Sequence, residues 1–190
     1  MPDARRLKLA FIGSHGVGKT TLCYGLAARL KARDHAVEVV HEVARRCPLP
    51  INEETSVASE SWIVHTQIAE EIVAHHRYPL VVCDRSVLDN YVYLLLAAPP
   101  RPELETLIDR WMATYDLLVQ VPIVERPSPD GVRSADPVFQ RAVEERLDRE
   151  LVRRGLGALR LAADDRARWL DTVEEAVAER LRPDQLPIPI

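Results

Sequence analysis

The sequence predicts an α/β fold, a parallel sheet with helices on both faces, gathered into one domain over residues 1–190. The first observation behind this is alternation: short apolar runs are separated by longer stretches with helical spacing. The second is that the short runs are barely alternated, as strands buried on both faces read. The third is size. At 190 residues the chain has single-domain length, and its 47% hydrophobic and 28% charged residues are those of an ordinary folded protein.

Leu7–Ile12 is apolar but for Lys8 and runs into glycines, a strand entering a loop. Thr20–Arg33 follows with helical spacing. Val37–His41 is the second strand, and Cys47–Thr55, with two prolines and Asn52, is a loop. Ala58–His76 places Trp62, Ile63, Ala69, Ile72 and Val73 at helical spacing, with His75-His76 at its end. Leu80–Cys83 is the third strand. Ser86 caps a helix over Val87–Ala98, with Asp89 in the favourable first turn, and Pro99, Pro100 and Pro102 stop it. Leu104, Leu107, Ile108 and Trp111 make the core face of an amphipathic helix. Leu117–Ile123 is the fourth strand. Asp136-Pro137 is a cap followed by proline at the first helical position, and Arg153, Arg154 and Gly155 close that helix. Leu159–Ala162 is a fifth strand and Asp165–Arg182 a last helix.

The formal charge of −4 supplies no global pull toward nucleic acid or anionic membrane, leaving only a local basic patch as a route to such partners. Cys23, Cys47 and Cys83 lack metal-ligand spacing and read as reduced thiols, which places the protein in the cytoplasm. No run approaches the roughly 18 apolar residues of a membrane span. The short apolar stretch after Arg5-Arg6 is a strand rather than a signal peptide.

In such a sheet, chemistry gathers beyond the carboxyl ends of the strands. There the chain reads Gly13-Ser14-His15-Gly16-Val17-Gly18-Lys19-Thr20, a complete G-x-x-x-x-G-K-T between a strand and a helix. Such a loop turns its backbone N–H groups onto a phosphate, and glycines admit both the close approach and the backbone angles. Lys19 brings a point charge to the β- and γ-phosphates, and Thr20 offers its hydroxyl to Mg²⁺. The helix that follows adds its positive end, with Thr21 in its first turn. These residues predict binding of a nucleoside triphosphate, ATP or GTP, with Mg²⁺.

The third strand ends Val82-Cys83-Asp84-Arg85-Ser86. A carboxylate one strand over from the loop reaches Mg²⁺ or an acceptor hydroxyl, and the adjacent arginine clamps a phosphate or holds the carboxylate. The base-reading N-K-x-D of Ras-like GTPases and the L-S-G-G-Q of transporter ATPases are both missing.

Asp84-Arg85-Ser86 resembles the D-R or E-R-S signature of thymidylate and deoxyribonucleoside kinases. Gly13–Leu22, His41-Glu42-Val43-Ala44-Arg45 and Asp130-Gly131-Val132-Arg133-Ser134 are similar to segments of the ribosylnicotinamide-kinase-like, AAA-type ATP-binding family of P-loop proteins. The motifs run in the same order across about residues 9–140. The resemblance implies a three-layer P-loop NTPase fold, five parallel strands in the order 2-3-1-4-5, and a short lid over about residues 125–155. It implies an ATP- and Mg²⁺-dependent phosphotransferase of the nucleoside or nucleotide kinase type. Thymidylate kinases carry an arginine-proline-glycine segment after the second strand. This chain has Glu42-Val43-Ala44-Arg45 there, which favours a hydroxyl on an unphosphorylated, nucleoside-like small molecule.

Within that reading Lys19, Glu42, Asp84, Arg85 and Arg133 are the catalytic candidates. Gly13 to Thr21, with Arg126, hold the nucleotide, and Thr20 with Asp84 serves the metal. Glu42 either takes the proton of the acceptor hydroxyl or pairs Arg45 at a strand end. Arg126 and Arg133 flank a turn-rich stretch suited to a mobile segment near the γ-phosphate. Trp62, Gln67 and Tyr91 either line the acceptor pocket or pack in the core, Trp111 belongs to the core, and Cys83 is a buried strand residue. Two alternatives stand beside the kinase: a GTP- or ATP-binding regulatory protein with little turnover, and a polynucleotide 5′-hydroxyl kinase. The protein is expected as a monomer or a homodimer.

Overall fold

The computed structural model describes residues 5–125, 134 and 136–182. Its sheet is built from β1 (Leu7–Ile12), β2 (Val37–Val40), β3 (Leu80–Asp84), β4 (Leu117–Gln120) and β5 (Leu159–Arg160). All pairings are parallel and the order is β2-β3-β1-β4-β5, as the resemblance implies. The helices are α1 (Lys19–Ala32), α2 (Val57–Arg77), α3 (Val87–Ala97), α4 (Pro102–Met112), α5 (Pro137–Arg153) and α6 (Trp169–Leu181).

The pleat divides the core in two. Along β1, Leu7, Leu9 and Phe11 point to the side packed by α1 and α6, whereas Ala10 and Ile12 point to the side packed by α2 to α5. Strand β3 does the same, with Leu80 and Val82 on the first side and Val81 and Cys83 on the second. Both faces are covered, which is why these strands read as continuous apolar runs. At about 25 cal/mol per Å² of apolar surface withdrawn from water, this double burial is the main force holding the sheet.

Lys8 is the exception within β1. It lies buried, with its Nζ 2.9 Å from Glu71 Oε2 and above the rings of Trp111 and Tyr115 at 4.6 and 4.3 Å. Glu71 also accepts from Trp111 Nε1, Tyr115 Oη and Gln67 Nε2, so a saturated polar knot ties α2 to β1 and α4. Trp111 is thus only half-buried, an indole held by a hydrogen bond rather than a plain core residue.

Local chemistry explains the helix ends. Ser86 and Asp89 form a capping box on α3, Ser56 and Ser59 form one on α2, and Asp136 caps α5 ahead of Pro137. Gly155, at φ 63°, supplies the left-handed residue that ends α5. Pro102 begins α4 instead of only ending the helix before it, because a first helical position needs no N–H donor. The expected loop at 47–55 contains a short 3₁₀ turn at Asn52–Glu54, and another turn, Val43–Arg46, follows β2. The last helix splits into a 3₁₀ turn, Arg166–Arg168, and α6. Among the described residues no helix is long and apolar enough to cross a membrane.

Candidate functional site

Because every strand runs the same way, Ile12, Val40, Asp84 and Gln120 deliver the segments that follow them to one edge of the sheet. The Gly13–Thr20 loop lies there, between β1 and α1. Gly13 has φ 138°, and a Cβ on it would stand 2.5 Å from the carbonyl oxygen of Val121. Glycine is therefore required at this position both for backbone angle and for space. Gly16 and Gly18 also hold left-handed angles, and Gly18 leaves the first N–H groups of α1 without a side-chain cap. An uncapped helix start of fourteen residues opening onto a glycine loop is suited to an anion.

The loop is braced from behind. Gly13 N–H donates to Asp89 Oδ1 at 2.8 Å. Ser14 Oγ donates to the Gln140 carbonyl at 2.7 Å, and Gln140 Nε2 donates to the His15 carbonyl at 2.8 Å. The His15 ring is buried against Phe139 and lies 3.2 Å from Tyr93 Oη. The side chains of Ser14 and His15 thus fix the loop from α3 and α5, and with their carbonyls held by Lys19 and Gln140 it is the backbone N–H groups that are left for a ligand. Val17 is buried and Thr21 exposed.

Lys19 Nζ donates to the carbonyls of Gly13 and Ser14, at 2.7 and 2.5 Å. Burial, together with the guanidinium of Arg85, lowers its pKa to about 7. A triphosphate placed beside this amine would favour the charged form. Next to it, Thr20 Oγ1 donates to Asp84 Oδ2 at 2.6 Å. A hydroxyl and a carboxylate this close are hard oxygen donors of the type Mg²⁺ takes. Among the described residues there is no group of three or more His, Cys, Asp or Glu that could hold a metal by themselves.

Arg85 occupies the corner between β3 and α3 at φ 109°, a left-handed angle that costs a non-glycine residue roughly 1–3 kcal/mol. Its surroundings hold it there: its Nε donates to Glu42 Oε1 at 2.7 Å, its carbonyl accepts from Gln67 Nε2 at 2.9 Å, and its guanidinium lies over the Tyr93 ring. Glu42 also accepts from Arg45 Nε at 2.8 Å, so it sits between two arginines. The pairing of Glu42 with Arg45 is present, and Arg85 joins it.

Two spaces open from these residues. An open cleft of about 950 Å³ runs between α1, β2 and α2, with Thr20, Asp84, Glu42, Arg45, Tyr24 and His41 among its walls. A smaller cavity lies on the other side of Glu42, against α2 and α3, lined by Arg85, Asn90, Tyr93, Glu60, Ile63 and Asn52 among others. Its walls are not the three residues the sequence offered. Gln67 is buried and engaged with Glu71, Asn90 and Arg85, and Tyr91 is buried with its hydroxyl accepting from Arg101 N–H. Trp62 is half-buried and does not line the cavity.

Structure therefore brings Lys19, Thr20, Asp84, Arg85 and Glu42 together. Arg126 and Arg133, with the Asp130–Arg133 part of the expected lid, lie outside the described residues. The sequence reading missed Asp89, Tyr93, Gln140, Asn90 and Glu60. Asp89 had a visible signal, the Ser86-x-x-Asp89 cap spacing, but not its second bond to Gly13. The others lie on helices whose pattern says nothing of the loop they face.

A family model described as an AAA domain matches residues 8–168. No curated protein matches the sequence. Among solved structures, the chain is similar to the NadR protein in complex with NAD and AMP-PNP, at 21% identity and a TM-score of 0.71. That match covers 96% of this chain and 52% of the other, so the chain spans about half the length of that protein. It is also similar to thymidylate kinase from Ehrlichia chaffeensis (16% identity, TM-score 0.64, 94% and 100% covered). Deoxyadenosine kinase from M. mycoides with bound dATP aligns at 14% identity and a TM-score of 0.62, with 91% and 100% covered. At these identities the likeness is one of fold, that of the P-loop kinases.

Proposed function

The chain belongs to the AAA-domain family, and from that premise we propose that it is an ATP- and Mg²⁺-dependent phosphotransferase acting on a hydroxyl of a nucleoside-like small molecule. The observation that carries the reading is the junction of the Gly13–Thr20 loop with Asp84 through the 2.6 Å Thr20 contact, at the mouth of a cleft that Glu42 also lines. The kinases among the structural neighbours support it as matches of fold.

In this reading the loop N–H groups and Lys19 hold the phosphates, and Thr20 with Asp84 holds Mg²⁺. The ion supplies charge neutralisation for the oxygens of the transferred group. Lys19 must leave the Gly13 and Ser14 carbonyls to reach a phosphate, an exchange of one pair of acceptors for a stronger, charged one. Glu42 or Asp84 orients the acceptor hydroxyl and takes its proton. Arg85, fixed by Glu42 and Gln67, keeps Glu42 in place and presents positive charge to the acceptor side. Positioning and electrostatics of this kind are most of what phosphoryl transfer needs.

The test is product analysis with labelled ATP and a panel of nucleosides, nucleotides and short oligonucleotides, with thermal shift by ATP-Mg²⁺ measured in parallel. The expected result is ADP in amounts matching a phosphorylated small molecule. Lys19→Ala should abolish transfer and leave the fold intact. Nucleotide binding without an acceptor would make the protein a nucleotide-binding regulator, and labelling confined to oligonucleotides would make it a polynucleotide kinase. No melting shift with either ATP or GTP would overturn the site itself.

A further inference from the structure

The cavity beside Glu42 contains a buried acid that the phosphate chemistry does not use. Glu60, on α2, is 2% exposed. Its Oε1 accepts a hydrogen bond from Thr55 Oγ1 at 2.8 Å, while its Oε2 is buried and has no hydrogen-bond partner. A buried polar atom left unpaired costs about 1–3 kcal/mol, so this oxygen calls for a partner in the cavity it faces, a water when that cavity is empty of ligand and a ligand atom when it is filled. Glu60 lines the cavity together with Asn90, Tyr93 and Arg85, and Ile51, Ile63 and Ala44 give that cavity apolar walls. Apolar surface from Ile51, Ile63 and Tyr93 beside a ring of charged and amide side chains, Glu42, Arg45, Arg85 and Asn90 among them, suits a flat ring that brings a polar edge.

We propose that Glu60 is a specificity-determining residue of the acceptor site, hydrogen-bonding through Oε2 to a carbonyl oxygen or ring nitrogen of a heterocycle seated against Ile63 and Tyr93. The proposal rests on the phosphotransferase reading, since it places the ring of the acceptor on one side of Glu42 and the phosphates on the other.

The direction of the hydrogen bond follows from the neighbours. Thr55 occupies Oε1 as a donor, so a proton on this carboxyl belongs on Oε2. Burial pushes its pKa up to about 8, against the pull of Thr55 and of Arg85. The other charged or titratable groups around the cavity are Glu42 and Arg45 after β2, Arg85 after β3 and Tyr93 on α3. Glu42 is held between the two guanidiniums, and Tyr93 is raised by its own burial. At neutral pH Glu60 is thus an O–H donor, which selects an acceptor atom on the ring. The enclosed space is about 20 Å³, room for about one water, so a ring is admitted only when the walls move apart.

The experiment measures acceptor-dependent ADP formation at saturating ATP-Mg²⁺. Adenosine, guanosine, cytidine, uridine and inosine each carry ring carbonyls or ring nitrogens, and D-ribose carries neither. With the best nucleoside, Glu60→Leu is expected to raise KM at least tenfold with kcat changed less than threefold, and Glu60→Gln, which keeps a donor at this point, to restore most of that affinity. Wild-type KM should rise between pH 7.5 and 9, and KM of Glu60→Gln should stay flat there; Lys19 is common to both, so the difference belongs to Glu60. An unchanged KM in Glu60→Leu, parallel pH profiles for wild type and Glu60→Gln, or ribose used as well as nucleosides would overturn the proposal and leave the kinase standing. If Glu60→Leu does not fold, the pH comparison decides. Should ATP-Mg²⁺ shift the melting temperature while no panel member is phosphorylated, the phosphotransferase reading falls and takes this proposal with it.

Discussion

Glu60 ionises near pH 8 in the folded protein because burial strips water from its carboxylate, whereas an exposed carboxyl in the unfolded chain ionises near 4.5. Between these values the folded state keeps a proton that the unfolded state has released. Stability therefore falls as pH rises through this window, by up to about 1.4 kcal/mol per pH unit from this one group. The cost is absent below the lower value and complete above the upper one. Glu60→Gln removes the titration and keeps the shape. Its melting temperature should match wild type near pH 4, exceed it increasingly up to about pH 8 and keep that lead beyond, a gap that fluorimetric melts across that range would show. Melting curves that stay parallel would mean that water reaches the carboxylate. Arg85 is the opposite kind of residue: its strained backbone is held by Glu42 and Gln67, so its geometry depends on partners from two other elements.

At the scale of elements, the loop between β1 and α1 is tight in one direction only. Gly13→Ala would set a methyl group against the Val121 carbonyl at an unfavourable φ, and the expected cost is about 2–3 kcal/mol. In a domain of this size that lowers Tm by roughly 4–12 °C. Gly157→Ala, with nothing within 4 Å, is the matched control and should change Tm little. Calorimetry of the two variants checks the contrast. This loop was legible in the sequence because its function demands glycines and a lysine at fixed spacing, and the strands were legible because burial on both faces leaves unbroken apolar runs. The caps Ser86 and Asp136 were legible for the same local reason. The start of α4 at Pro102 was hidden because proline ends one helix and begins another by the same missing N–H. Glu60, Asn90, Tyr93 and Gln140 were hidden because each acts across elements. Their roles depend on where α2, α3 and α5 dock, and no spacing along the chain reports that.

Over the whole molecule, the strand that comes first in sequence lies at the centre of the sheet. Leu7 of β1 registers with Leu80 of β3, and Leu9 with Leu117 of β4. Such long-range pairing makes refolding slow, on the millisecond to second scale typical of non-local topologies. Until β3 and β4 are available, Leu7–Ile12 is an apolar segment with both edges open, the kind of segment that pairs with other chains. Lys8 interrupts it, with Arg5 and Arg6 just before. Charges placed within and beside an unavoidable hydrophobic strand act as gatekeepers against aggregation. Exchanging the buried pair as Lys8→Met with Glu71→Gln keeps an acceptor for only part of the knot, because Trp111, Tyr115 and Gln67 also donate to Glu71, and should lower native stability by about 1–3 kcal/mol. Light scattering during refolding from urea should rise severalfold, and wild-type scattering would show that Lys8 has no such role. The ammonium group that anchors α2 in the finished protein would then have an earlier task, keeping neighbouring chains apart while the centre of the sheet waits for its partners.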